Sequence, residues 1–202
     1  MPFLKVIIVE EINMKNITKQ FSELRKLENP ILDKKEKDLL TIEDLKKNSF
    51  FIFNKNLYRV VSISFYEEKS GSKWFELECY SIYEDKITYF EYEKDDYIEV
   101  SITLKELSMR DLDKDIDQIE EISEEEEGSL YVNGKEYEYE DDYGAKWHKE
   151  GSDSYKVYFY DFIASDNELL TVEEWKISKN KYEYKVYLSK EIRSEDITVI
   201  SI

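Results

Sequence analysis

The 202-residue sequence carries 29 basic and 47 acidic side chains, which gives a formal net charge of −18. So anionic a chain is not expected to bind nucleic acid directly, because affinity for the phosphate backbone comes from Lys and Arg. Because 41% of the residues are hydrophobic and 15% aromatic, the chain has ample material for a core. We therefore predict a folded, acidic protein.

The amino-terminal part, residues 1–48, is predicted to hold a strand and a helical segment. A short apolar run predicts a strand over 1–9, and apolar residues at three- and four-residue steps predict an amphipathic helix over 16–27. A short helical turn is expected near Thr41, because its hydroxyl can cap a turn with Asp44 three residues later.

From residue 50 the hydrophobic period changes from helical to the two-residue period of strands. Runs at 57–66, 74–82 and 97–102 are rich in aromatic and β-branched residues, as strands are. The pair Asn133-Gly134 lies between tyrosine-containing runs and predicts a tight β-hairpin.

An internal similarity indicates a duplicated arrangement. Residues 51–60 align with residues 130–139, and apolar, turn and aromatic positions coincide. We predict a mainly β fold with two similar antiparallel small β units, barrel- or sandwich-like and packed together. The first unit is expected at 49–109 and the second at 128–202.

The two predicted units are joined by a segment at 110–127 that we interpret as an acidic linker. It contains ten acidic residues, and charge runs of this kind are usually solvated. A calcium loop beginning at Asp113 is disfavoured, because Gln118 stands where the sharp turn of such a loop needs glycine.

Cysteine and histidine usage limits the chemistry further. The chain has one cysteine, Cys79, and one histidine, His148, whereas a structural zinc site needs four such ligands. We expect no metal site and no cofactor. A lone cysteine without a signal segment is typical of a reducing compartment, and no stretch approaches the roughly 20 apolar residues of a membrane helix. We expect a cytoplasmic protein with no membrane partner.

Three short segments carry a family resemblance. The runs at 53–60, Trp74-Phe75-Glu76-Leu77 and Leu170-Thr171-Val172-Glu173-Glu174-Trp175 resemble the prokaryotic domain of unknown function 4178 family. The likeness covers roughly residues 41 to 202. It implies a β meander with an accessory role, marks Glu76 and Glu173 as positions of interest, and supplies no reaction.

Few residues are suited to catalysis. His148 lies in a stretch interpreted as an exposed turn, which disfavours a Ser-His or Cys-His site. Glu76 and Glu173, each near a tryptophan, are the best pair for general acid–base work, although glutamates on alternating strands normally face water. A carboxylate-dependent hydrolase is therefore one alternative, and an enzyme is the less favoured class.

The excess of tyrosine suggests binding. Tyrosine gives a large contact area at low entropic cost, while carboxylates steer a basic partner. The predicted function is a non-enzymatic binding or accessory protein that docks a basic protein through a Tyr- and Glu-rich β surface. A second alternative is an anionic nucleic-acid mimic that inhibits a DNA- or RNA-binding enzyme. The predicted docking residues are Tyr137, Tyr139, Tyr143, Trp147, Trp74 and Trp175.

Overall fold

The structure, a computed structural model, describes Ser22, Asp33 and residues 40–95 and 97–202. The predicted strand over 1–9 and helix over 16–27 lie outside the described residues. Within the described ranges the chain forms a large antiparallel sheet and one α-helix. The predicted mainly β class is confirmed.

The strands and the helix follow one another in a simple order. The elements are β1 (Phe50–Phe53), β2 (Asn56–Glu68), β3 (Lys73–Ser81), β4 (Lys86–Lys94), β5 (Ile98–Leu107), α1 (Ile116–Glu125), β6 (Ser129–Val132), β7 (Lys135–Lys149), β8 (Tyr155–Ile163), β9 (Glu168–Ser178), β10 (Lys181–Ile192) and β11 (Thr198–Ser201). The strands predicted over 57–66, 74–82 and 97–102 are confirmed as β2, β3 and β5, except that Ile82 and Tyr97 lie just outside them.

Two local predictions are confirmed by backbone geometry. A 3-10 turn covers Ile42–Asp44, and the Thr41 backbone N–H donates to the Asp44 carboxylate at 2.9 Å. Asn133 and Gly134 both have positive φ, 52° and 83°, and join β6 to β7 as a two-residue hairpin. Glycine suits the second position because it adopts positive φ without a steric penalty.

The described chain forms two compact units, which do not follow the boundaries predicted from the sequence. Unit one takes the described residues up to Ser62, with Glu78–Thr88 and Ser194–Ile202. Unit two takes Ile63–Leu77 and Tyr89–Arg193. The predicted first β unit, 49–109, therefore contributes residues to both units.

Unit one contains an antiparallel sheet around a small apolar cluster. β1 pairs with β2 on one side and with β11 on the other. The buried side chains of this cluster come from all three segments of the unit: Phe50, Leu57, Ile82 and Ile200.

Eight strands form a ring, and most of their residues belong to unit two. Their order is β2-β3-β4-β5-β10-β9-β8-β7, and antiparallel pairing of β2 with β7, from Ser64 opposite Lys149 to Glu68 opposite Ala145, closes the ring. The barrel-like architecture expected from the sequence is confirmed here.

Aromatic side chains meet across the inside of this ring. β3 has β2 and β4 as its neighbours, yet the Trp74 ring on β3 lies 5.5 Å from the Phe159 ring on β8. Likewise Tyr66 on β2 lies 6.4 Å from Trp175 on β9. Because successive strand residues point to opposite faces, these contacts identify which face of each strand lines the interior.

The helix α1 corrects the interpretation of residues 110–127 as a solvated linker. Asp115 and Gln118 cap its first turn reciprocally, with both hydrogen bonds at 3.1 Å. Ile119 and Ile122 are buried with Leu130 and other apolar side chains of unit two. The acids on the helix stay exposed, and its apolar stripe packs against the outer face of the sheet.

This packing gives a direct test. We expect Ile119→Ala to lower the free energy of unfolding by about 2–4 kcal/mol, because Ile119 is fully buried and its truncation leaves a cavity. The exposed neighbour Glu120 provides the control, Glu120→Ala, which should change stability by less than about 0.5 kcal/mol. Urea denaturation measures both. If Ile119→Ala and Glu120→Ala lower the free energy of unfolding by the same small amount, α1 does not pack against the sheet.

Candidate functional site

A pocket of about 470 Å³ opens in unit two and is lined mainly by acids and aromatic rings. Pockets that hold small ligands commonly have volumes of this order. Three aromatic residues, Trp74, Tyr92 and Tyr143, contribute to its wall. The lining residues include six carboxylates and no Lys or Arg: Glu68, Glu91, Glu93, Glu99, Asp141 and Glu191.

Strand register places one acidic pair in the pocket wall. Glu93 on β4 lies directly opposite Glu99 on β5. Like charges in directly opposite positions of an antiparallel pair are destabilising. Burial, followed by repulsion from Glu99, raises the pKa of Glu93 above its usual value. Ionisation of Glu93 is therefore disfavoured at this position of the sheet.

A second acidic pair lies on β7 and β8, where Asp141 is opposite Asp161. Asp161 accepts hydrogen bonds from the Tyr143 hydroxyl at 2.9 Å and the Thr171 hydroxyl at 2.6 Å. Its pKa is nevertheless raised, because burial opposes ionisation more strongly than these two donors favour it.

Glu91 is the lining carboxylate placed deepest among other acids. Burial is the largest cause of a pKa raised well above the usual value, followed by repulsion from Glu76 and Glu173 and then from Asp161. Among the described residues no side chain donates a hydrogen bond to Glu91. Glu91 is also one of the residues that line the pocket.

Glu76 and Glu173, the pair predicted from the sequence, both belong to this interior group. Glu173 is 3% exposed and accepts a hydrogen bond from Trp175 Nε1 at 2.6 Å. Burial and repulsion from Glu76 raise the pKa of Glu173 to about 8. Glu76 accepts a hydrogen bond from the Ser64 hydroxyl at 2.8 Å. Neither carboxylate is among the residues that line the pocket.

Lys185 brings a positive charge close to the buried acids. Its Nζ lies 3.9 Å from the centre of the Trp175 ring, a cation–π contact, and its charge favours ionisation of Glu173. One ammonium cannot neutralise Glu76, Glu91, Glu173 and Asp161 together, so protons or an added cation must balance the others.

The side chains predicted as a docking surface are mostly interior. Trp74 and Trp175 are buried in one aromatic cluster, and Tyr143 and Trp147 pack against it. Tyr137 is 1% exposed, in the cluster that α1 covers. Tyr139 is half-buried, with its hydroxyl bonded to Asp142 at 2.5 Å. A partner therefore meets little of this set on the surface, and of the set only Trp74 and Tyr143 line the pocket.

His148 lies in β7, which corrects its assignment to an exposed turn. Its ring stacks on Phe65 with centres 4.7 Å apart. The Ser154 hydroxyl lies 3.1 Å from Nδ1, and the Glu67 carboxylate lies 3.8 Å from Nε2, beyond hydrogen-bond distance. His148, Ser154 and Glu67 do not line the pocket.

Sequence reasoning missed the acids of β4 and β5. A sequence does show that Glu91 and Glu93 share one face of a strand, because they are two residues apart. It does not show that ring closure turns that face inward. The cross-strand pairs depend on register between strands, which the single sequence does not specify.

Two further observations apply to the described residues. None of their helices is long and apolar enough to span a membrane. No group of three or more of their His, Cys, Asp and Glu side chains is arranged to hold a metal ion.

Fold and site together define a mainly β protein in which a ring of eight antiparallel strands surrounds an acidic, aromatic pocket. The family model described as a domain of unknown function, DUF4178, matches residues 34–194, and the chain belongs to that family. Comparison with curated proteins gave no match, and comparison with solved structures gave none either.

Proposed function

We propose that the protein is a non-enzymatic binding protein that takes a positively charged organic group of a basic partner into the pocket of unit two. The observation that carries this proposal is the pocket itself, with six carboxylates and three aromatic residues among its lining and no basic residue.

Electrostatics favours a cation at this position. Clefts lined by charges of one sign concentrate ions of the opposite sign, and low-dielectric walls strengthen each interaction. Aromatic faces add a further attraction for ammonium and guanidinium groups. Trp74 and Tyr143 supply such rings next to Glu91 and Asp141.

Two features of the pocket wall favour a bound cation. Glu93 opposes Glu99 in the sheet, and Glu91 has no hydrogen-bond donor among the described residues. A bound cation supplies both the missing countercharge and the missing donor. Ligand binding to the native state alone also adds to stability by mass action.

The alternatives are supported less well by the same residues. A hydrolase based on Glu76 and Glu173 needs its acid within reach of substrate, whereas Glu173 is 3% exposed and is not among the residues that line the pocket. A nucleic-acid mimic needs its acids on an outward surface that enters a basic cleft, whereas these six acids line a concave pocket.

A cytoplasmic location forms part of the proposal. Cys79 is a buried free thiol, as expected for a protein of a reducing compartment.

A binding measurement on Glu91→Gln tests the proposed function. Glutamine keeps the size of the Glu91 side chain but cannot carry a negative charge beside a cation. We expect the variant to bind trilysine about tenfold more weakly than the unchanged chain, a loss of about 1.4 kcal/mol. Isothermal titration calorimetry on the full chain at low ionic strength measures both affinities.

Glu150→Gln is the matched control, because Glu150 is exposed and does not line the pocket. It removes the same charge and should leave the affinity for trilysine within about twofold of the original. Equal weakening by the two variants would show that trilysine associates with the overall negative charge, and the proposed site would be wrong.

A further inference from the structure

One wall of the pocket carries acids on three neighbouring strands. Glu91 on β4 lies opposite Ser101 on β5, and Ser101 lies opposite Glu191 on β10. Two residues further along β4, Glu93 lies opposite Glu99. All five residues line the pocket. Because strand residues two apart share a face, the register places these acids together on one continuous surface.

Glu91 differs from the other acids of this wall in its surroundings. Glu93, Glu99 and Glu191 are exposed, whereas Glu91 is half-buried. Burial and repulsion from neighbouring carboxylates raise the pKa of Glu91 well above its usual value. The titratable groups around it come from six other strands, and none of them is basic: Tyr66 on β2, Glu76 on β3, Tyr143 on β7, Asp161 on β8, Glu173 on β9 and Glu191 on β10.

We propose that the pocket exchanges a proton for its cation: binding of the positive group displaces the proton of the Glu91 carboxyl group, and acidification reverses the exchange and releases the partner. This inference rests on the proposed function and specifies how the same site is regulated. In the exchange the O–H bond of the Glu91 carboxyl group breaks, the proton passes to water, and the carboxylate keeps the electron pair. The cation then forms an ion pair with this carboxylate, so the net charge of the pocket stays the same.

The direction of the pH dependence follows from the surroundings of Glu91. Without a cation, burial and the neighbouring acids favour the neutral carboxyl group. A positive group beside it favours the carboxylate and lowers its pKa. Binding therefore releases protons, and the affinity rises with pH over the range in which the empty pocket still holds them. Glu93 contributes in the same direction, because burial and then repulsion from Glu99, Glu68 and Asp95 raise its pKa.

Proton release near neutral pH distinguishes this exchange from attraction to the overall charge of the chain. Carboxylates with ordinary pKa values, about 4, are already ionised at neutral pH and have no proton to release. His148 is the one histidine of the sequence, and it does not line the pocket. Glu173 does not line the pocket either, so protons released from it would persist in a Glu91→Gln variant.

Calorimetry with trilysine blocked at both ends tests the exchange, because its ammonium groups stay charged near neutral pH. Titrations in two buffers with different enthalpies of ionisation give the number of protons released on binding. We expect the unchanged chain to release at least about half a proton per bound peptide at about pH 7. The same linkage predicts binding at least about tenfold tighter at about pH 8 than at about pH 6.

Two variants assign the proton. Glu91→Gln should release less than about half as many protons as the unchanged chain, and its affinity should change by less than about threefold between the two pH values. Glu150→Gln, the exposed control, should keep both the proton release and the pH dependence of the unchanged chain. The titrations of the unchanged chain need no variant, so they test the exchange even if a substitution disturbs the fold.

The outcomes separate this inference from the proposed function. If trilysine binds without proton release, and Glu91→Gln still weakens its binding, the pocket binds cations but the exchange is wrong. If trilysine does not bind, or if Glu91→Gln and Glu150→Gln weaken its binding equally, both proposals are wrong. If Glu91→Gln releases as many protons as the unchanged chain, the proton leaves another group, and its assignment to Glu91 is overturned.

Discussion

Glu173→Gln is expected to make the stability of the protein far less dependent on pH between about 5.5 and 8. Glu173 has a pKa of about 8 in the fold against an ordinary value of 4.5, because it is buried and faces Glu76. Between these two values the native state holds a proton that the unfolded state has released. The associated stability is complete below about pH 4.5 and is lost as the pH rises through 8.

The expected size of this effect is large for one side chain. One proton difference changes the free energy of unfolding by up to about 1.4 kcal/mol per pH unit. We expect the unchanged chain to lose on the order of 2 kcal/mol more than Glu173→Gln between about pH 5.5 and about pH 8. Urea denaturation at the two pH values measures both losses.

Glu91 and Asp161 contribute to the same trend, since burial also raises the pKa of each. Glu173→Gln should therefore reduce the pH dependence without abolishing it. The exposed control Glu150→Gln should reproduce the pH dependence of the unchanged chain. If the free energy of unfolding changes with pH equally in Glu173→Gln and in the unchanged chain, Glu173 is not buried in its protonated form.

Phe159→Ala is expected to be the most destabilising of the substitutions considered. Phe159 is 4% exposed, and its ring stacks on Tyr143 at 5.1 Å and meets Tyr66 edge-on at 5.3 Å. Removing the ring leaves a cavity inside the ring of strands, which should lower the free energy of unfolding by about 3–5 kcal/mol. Chemical denaturation followed by tryptophan fluorescence measures the change.

An exposed aromatic residue of the same unit serves as the comparison. Tyr182 is 39% exposed and contacts the ammonium of Lys176 on the outer face. Tyr182→Ala should cost less than about 1 kcal/mol. A similar loss for Tyr182→Ala and Phe159→Ala would mean that the interior aromatic cluster does not hold the unit together.

Phe159→Ala and Glu173→Gln test two linked parts of the ring interior, its aromatic cluster and its buried acids. The aromatic cluster fixes the inward faces of β2, β3, β8 and β9, and the buried acids sit on those same faces. The free energy gained by aromatic packing therefore offsets the cost of burying these carboxylates away from water. The aromatic packing and the buried acids therefore depend on each other.

Several features could be predicted from the sequence because their causes are local. The two-residue period specified β2, β3 and β5, and Asn133-Gly134 specified a hairpin through its preference for positive φ. The resemblance also selected Glu76 and Glu173, which do lie among the interior acids. Net charge and the scarcity of Cys and His followed directly from composition.

Other features depended on contacts between distant parts of the chain. The acidic residues at 110–127 suggested a solvated segment. Packing of Ile119 against neighbouring strands instead stabilises a helix in this segment. Periodicity shows that one face of a strand differs from the other, not which face is enclosed. That choice came from pairing of β2 with β7, which turned Glu91, Glu173, Trp74 and Trp175 inward. Burial then decided the acids' pKa values, because desolvation arises only once the ring is closed.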